Sequence, residues 1–139
     1  MSDPTDERSG RALLLIVERD PHVRDLEEYF LREAGYDVHF VDDGLAALDM
    51  ARELRPQIIV TEVIVPKLDG LALCRAIRAT EGLRDTIVVI FSLLAVERRS
   101  REAGADAFLI KPLGEDLLIS TVRDLLARRT GTPRTAWTQ

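Results

Sequence analysis

Short runs that are apolar at nearly every position alternate along this chain with longer segments whose apolar side chains recur every three or four residues. Leu13-Leu14-Leu15-Ile16-Val17 has the pattern of a parallel strand covered on both faces. Pro21 then opens a helix that reaches about Ala34, striped by Val23, Leu26 and Phe30 and ended by Gly35. Tyr36 to Val41 alternates apolar and polar side chains, as an edge strand does. Leu45, Leu48, Ala51 and Leu54 stripe a second helix, which Pro56 stops. Ile58-Ile59-Val60 begins a third strand ending near Glu62, and after Asp69, the expected cap, Leu73 and Ile77 share a face of a third helix. Ile87 to Phe91 reads as a fourth strand, followed by a short helix near Val96 to Ala103. Ala107 to Ile110 reads as a fifth strand, and Leu118, Val122 and Leu125 stripe the last helix. Five strand-helix units predict an α/β fold: a (βα)5 doubly wound, five-stranded parallel sheet in three α/β/α layers.

Composition narrows this further. Of 139 residues, 19 are Lys or Arg and 24 are Asp or Glu, a net charge of -5 that disfavours phosphate backbones and anionic lipid, so no nucleic acid or membrane is expected as a partner. The polar ends, 1–11 and 130–139, are expected to be disordered around one domain at 12–129. No apolar stretch approaches the roughly 18 residues of a membrane span, and the N-terminus lacks an apolar signal region; a cytoplasmic protein is expected. Cys74, the one cysteine, excludes an internal disulfide and reads as packing. His22 and His39 each lack a second ligand or a neighbouring nucleophile, and no enzyme activity is expected from them.

In a doubly wound sheet, functional groups gather at the carboxyl ends of the strands. That rule selects Glu18-Arg19-Asp20, Glu62, Ser92 and Lys111-Pro112. At these places the sequence resembles the receiver domain of two-component response regulators, over nearly all of residues 12 to 128. The resemblance rests on LLLIVERDP, EVIVPKLDG, VVIFS and GADAFLIKP, four stretches in the right order. It implies a flavodoxin-like fold and a role in phosphorelay signalling, with a histidine kinase or a downstream effector as protein partner and room for a homodimer. It also implies roles: Glu62 stands at the phosphoacceptor position, Glu18, Arg19 and Asp20 at the acidic pocket, Ser92 and Lys111 at the phosphoryl contacts. Phe108 matches the switch aromatic, and Pro112 the proline that a cis peptide usually precedes.

Two of these positions depart from the family pattern. Glu62 replaces the usual Asp and adds a methylene, about 1.5 Å of reach, where in-line attack tolerates little displacement. Arg19 puts a guanidinium where the family has a direct metal ligand, so no metal and no other cofactor is expected; Glu18 and Asp20 would be the ligands if Mg²⁺ were retained. Lys111 and Arg19 are the expected cationic partners of Glu62. The expected function is that of a single-domain pseudo-receiver working through protein-protein contacts, with Glu62 as a partial mimic of a phosphoryl group. The alternatives are a receiver with unusual acceptor chemistry and a small flavodoxin-like flavin or nucleotide binder. Against the last, neither GxGxxG nor GxxxxGK[ST] occurs. A short fourth helix and the apolar Leu93-Leu94-Ala95-Val96 mark a candidate docking patch beside the site.

Overall fold

A computed structural model describes residues 5–6, 10–112 and 114–128. Its elements, in chain order, are β1 (Thr5–Asp6), β2 (Arg11–Val17), α1 (Pro21–Glu33), β3 (Asp37–Val41), α2 (Gly44–Leu54), β4 (Ile58–Thr61), α3 (Gly70–Ala79), β5 (Ile87–Ser92), α4 (Glu97–Glu102), β6 (Ala107–Ile110) and α5 (Glu115–Arg128). The five longer strands are parallel in the order β3-β2-β4-β5-β6, the five-stranded doubly wound sheet expected. One difference lies at the start. Thr5–Asp6, inside the segment expected to be disordered, pairs antiparallel with Ala12 and Arg11, so strand pairing begins earlier than the apolar run suggests. The tail at 130–139 lies outside the described residues.

The sheet divides the core in two, as alternate side chains along each strand must. Leu15, Val17, Ile59, Val88 and Ile90 face α2 and α3, where Ala47, Ala51, Leu73, Cys74 and Ile77 meet them. Leu14, Ile16, Ile58, Val60, Ile87 and Val89 face α1 and α5, covered by Leu31, Leu118, Val122 and Leu125.

Two helices turn differently from their apolar stripes. On α1 the buried residues are Glu27 and Leu31, whereas Leu26 is exposed. On α2 they are Gly44, Ala47 and Ala51, whereas Leu45 is exposed. Small residues let α2 lie close to the sheet, so large side chains do not mark its inner face.

Candidate functional site

Strand register builds the site. Val17 pairs with Thr61 and Thr61 with Ile90, while Ser92 pairs with Ile110. Glu18, Glu62, Ser92 and Lys111 therefore end neighbouring strands along the carboxyl edge of the sheet. The backbone continues that register: Glu62 N donates to Val17 O at 3.2 Å, and Lys111 N to Ser92 O at 2.8 Å.

The loop after β4 is held by close packing. A Cβ on Gly70 would lie 2.3 Å from the carbonyl oxygen of Glu62, so only glycine lets α3 start there. Gly70 N donates to Val63 O at 2.8 Å, and Asp69 caps α3 by accepting from Ala72 N at 2.8 Å. This gives the PxxDG stretch a physical reason: it pins the backbone that carries Glu62.

Lys111 is the hub. Its ammonium lies 2.5 Å from Glu18 Oε1 and 3.2 Å from Glu62 Oε2, with all three side chains largely buried. Burial alone would lower its pKa, but hydrogen bonding to Glu18 and the charges of Glu18 and Glu62 outweigh that and raise it. The ring of Phe91 lies under the same ammonium, 5.2 Å from it. A cis peptide joins Lys111 to Pro112.

Glu62 is gripped from three sides. Its Oε1 accepts from the Ser92 hydroxyl and, at 2.7 Å, from Val63 N, while Oε2 faces Lys111. Ser92 Oγ in turn accepts from Leu94 N at 3.1 Å, which ties the next loop to the acceptor position.

Of the two cations expected to partner Glu62, only Lys111 does so. Arg19 is exposed and enters no ion pair among the described residues. Asp20 is also exposed and caps α1, accepting from His22 N at 2.9 Å. Phe108 is partly buried against the α2-α3 core. Cys74 is buried, which pushes its thiol up to about 11, as a packing residue would show.

The sequence reasoning missed Glu27. It lies on the inner face of α1, and neither carboxylate oxygen has a hydrogen-bond partner among the described residues. Burial first, then the charge of Glu18, pushes its carboxyl up to about 8. The available signal was spacing: Val23, Glu27 and Leu31 stand four apart, so a carboxyl interrupts the inward face.

With this geometry in view, relatives place the chain. Residues 14–123 match the response regulator receiver domain family, and the chain belongs to that family. Its sequence is 32% identical over 126 residues to the DNA-binding dual master transcriptional regulator RpaA of Synechocystis, covering 88% of this chain and 52% of that protein. The chain spans about half the length of the curated relatives it matches. The receiver domain of a signal transduction histidine kinase from Syntrophus aciditrophicus superposes with a TM-score of 0.80 at 34% identity, over 88% of this chain and 95% of that one. The receiver domain of the sensor histidine kinase PA1611 from Pseudomonas aeruginosa superposes with a TM-score of 0.77 at 29% identity, over 84% and 98%.

The PA1611 structure has a magnesium ion coordinated in its active-site cleft, and it overturns the expectation that no metal belongs here. That expectation relied on a guanidinium among the ligands. Arg19 instead is exposed, and the cation between Glu18 and Glu62 is Lys111. Glu18 and Glu62 supply two carboxylates, and Mg²⁺ commonly takes one or two together with water, so the donor chemistry fits. No third acidic side chain joins them in a metal-sized group among the described residues.

The family consists of signalling modules rather than enzymes of the ordinary catalytic kind. Among the described residues no helix is long and apolar enough to cross a membrane.

Proposed function

We propose that this receiver domain acts through protein-protein contacts, with the Glu62 carboxylate standing in for part of a phosphoryl group. One observation carries the reading: Ser92, Lys111 and the Val63 amide all hold Glu62 itself. The hydroxyl and the lysine are the groups that resemblance to the family assigns to a phosphoryl group. A carboxylate offers two acceptor oxygens and one charge, against three oxygens and about -1.5 to -2 for a phosphoryl group, so the imitation is partial. The proposed roles are Glu62 as acceptor equivalent, Glu18 and Lys111 as the pair that positions it, Ser92 as the contact to the following loop, Phe108 as the switch aromatic and Pro112 as the proline after the cis peptide. The proposed partners are a histidine kinase or an effector protein in the cytoplasm.

A second reading has its own support, and the relatives favour it over the first. They are response regulators and kinase receiver domains, one with magnesium in its cleft. On that reading Glu62 accepts a phosphoryl group, and Glu18 and Glu62 would hold Mg²⁺. The ion would offset negative charge on the phosphoryl oxygens. The proteins named leave the flavin or nucleotide reading without support.

Incubation with radiolabelled acetyl phosphate and Mg²⁺ separates the two. The mimic reading expects no label on the wild type and Mg²⁺-dependent label on Glu62→Asp. Label on the wild type that Glu62→Gln abolishes would establish the second reading instead.

A further inference from the structure

Beside the Glu18-Lys111-Glu62 cluster, a cavity of about 650 Å³ opens between α1 and α5. Phe30, Leu31, Phe91, Leu118 and Ile119 form its apolar wall. Its size falls in the range of small-molecule sites. One group is out of keeping with that wall. Glu27 lines the cavity with 6% of its surface exposed, and neither of its carboxylate oxygens finds a donor among the described residues. Packing does not call for a carboxyl there, since the residues one turn before and after it, Val23 and Leu31, are apolar. Stability is better served by a leucine, which would leave no polar group without a partner.

Charge selects the class of ligand. Lys111 is shared by Glu18 and Glu62, so that cluster is net negative, and Asp20 at the rim adds to the sign while exposed Arg19 opposes it. An anion entering the cavity would meet the net negative Glu18-Lys111-Glu62 cluster, whereas a cation would supply the hydrogen-bond donor that Glu27 lacks and favour the ionised form of its carboxyl. We propose that this cavity binds a small amphiphilic cation, a protonated amine on an apolar body, whose ammonium donates to Glu27 while its body lies against Phe30, Leu31 and Leu118. The site rests on Glu27 and the apolar wall, which neither reading of Glu62 uses.

The probe pair is 2-phenylethylamine and 2-phenylethanol, which differ in charge at nearly constant shape. Both are titrated into the full chain at about pH 8.5, above the Glu27 value of about 8, with binding read by calorimetry and methyl chemical shifts. The amine is expected to bind about tenfold or more tighter than the alcohol, as a charge-assisted hydrogen bond requires, with shifts at the Leu31 and Leu118 methyls. Glu27→Gln, nearly isosteric, is expected to bring the two ligands within about threefold of each other. Equal binding of amine and alcohol by the wild type would overturn the proposal. So would an amine preference that survives Glu27→Gln, because the cation would then be held by Glu18 and Glu62. Ile119→Trp is a second check: an indole projecting from the α5 wall narrows the cavity and should weaken binding of both probes, and unchanged binding places them elsewhere.

Discussion

Lys111 and Glu27 face the same pocket with opposite solutions to the problem of burying charge. The Lys111 ammonium has two carboxylates within 3.2 Å, and its burial is compensated by their charge. Glu27 has no compensation among the described residues, so it keeps its proton to about pH 8, whereas an unfolded chain releases it near 4.5. Linkage fixes the consequence. Between those values the native state binds a proton that the unfolded state has lost, so stability falls as pH rises. Below about 4.5 the contribution is fully present, and above about 8 it is lost, a total of roughly 5 kcal/mol by the linkage relation. Urea unfolding of the wild type and Glu27→Leu from pH 5 to 9 checks this. The difference between the two curves should grow in favour of the variant across that window, and a constant difference would mean that Glu27 is not protonated in the native state.

Elements form where local patterns and packing agree, and the case of α3 shows how narrow that agreement is. Its first residue lies so near the Glu62 carbonyl that any side chain must part α3 from β4. Gly70→Ala is expected to cost about 1–3 kcal/mol in chemical denaturation, the scale of overpacking elsewhere in protein cores. It should also shift the amide resonance of Val63, whose N–H bonds Glu62. Gly114→Ala is the control, because a Cβ there meets nothing within 4 Å, and it should change stability by less than about 0.5 kcal/mol. The strands β2, β4 and β5 were legible in the sequence because they are buried and apolar at nearly every position, and β3 by its alternation. So were α3 and α5, whose large residues Leu73, Ile77, Leu118, Val122 and Leu125 are also the buried ones. The faces of α1 and α2 were not. Leu26 and Leu45 stay exposed while Glu27 and Ala47 turn inward, and periodicity weighs apolar size without registering how close a helix lies. The Lys111–Glu62 pair was legible in the sequence, whereas the Glu18–Lys111 and Ser92–Glu62 contacts and the exposure of Arg19 were not. Sequence spacing could not decide between Arg19 and Lys111, because that depends on which side chain the strand register buries.

At the scale of the whole molecule, the site matters only if its state reaches the surface. The described structure contains one short route. Glu62 receives the Ser92 hydroxyl, Ser92 Oγ receives the Leu94 amide, and Leu94 lies in an apolar stretch whose first residue, Leu93, is 67% exposed. Ile64, on the loop that follows Glu62, is exposed on the same mouth of the cavity, as is Leu26 from α1. A change at the Glu62 carboxylate is therefore two hydrogen bonds from a surface large enough in side-chain size to be recognised by another protein. Ser92→Ala cuts this route at its middle while leaving Lys111 on both carboxylates. The variant leaves one lone pair of Glu62 Oε1 and the Leu94 amide without their partner, a loss of about 1–2 kcal/mol in stability. The distinguishing measurement is local. Hydrogen exchange at Leu94 should quicken by more than the global loss accounts for, whereas exchange at Val89 in the middle of β5 should follow the global loss alone. If Leu94 and Val89 changed in proportion, the loop would be held by its own packing and the acceptor position would have no purchase on the surface.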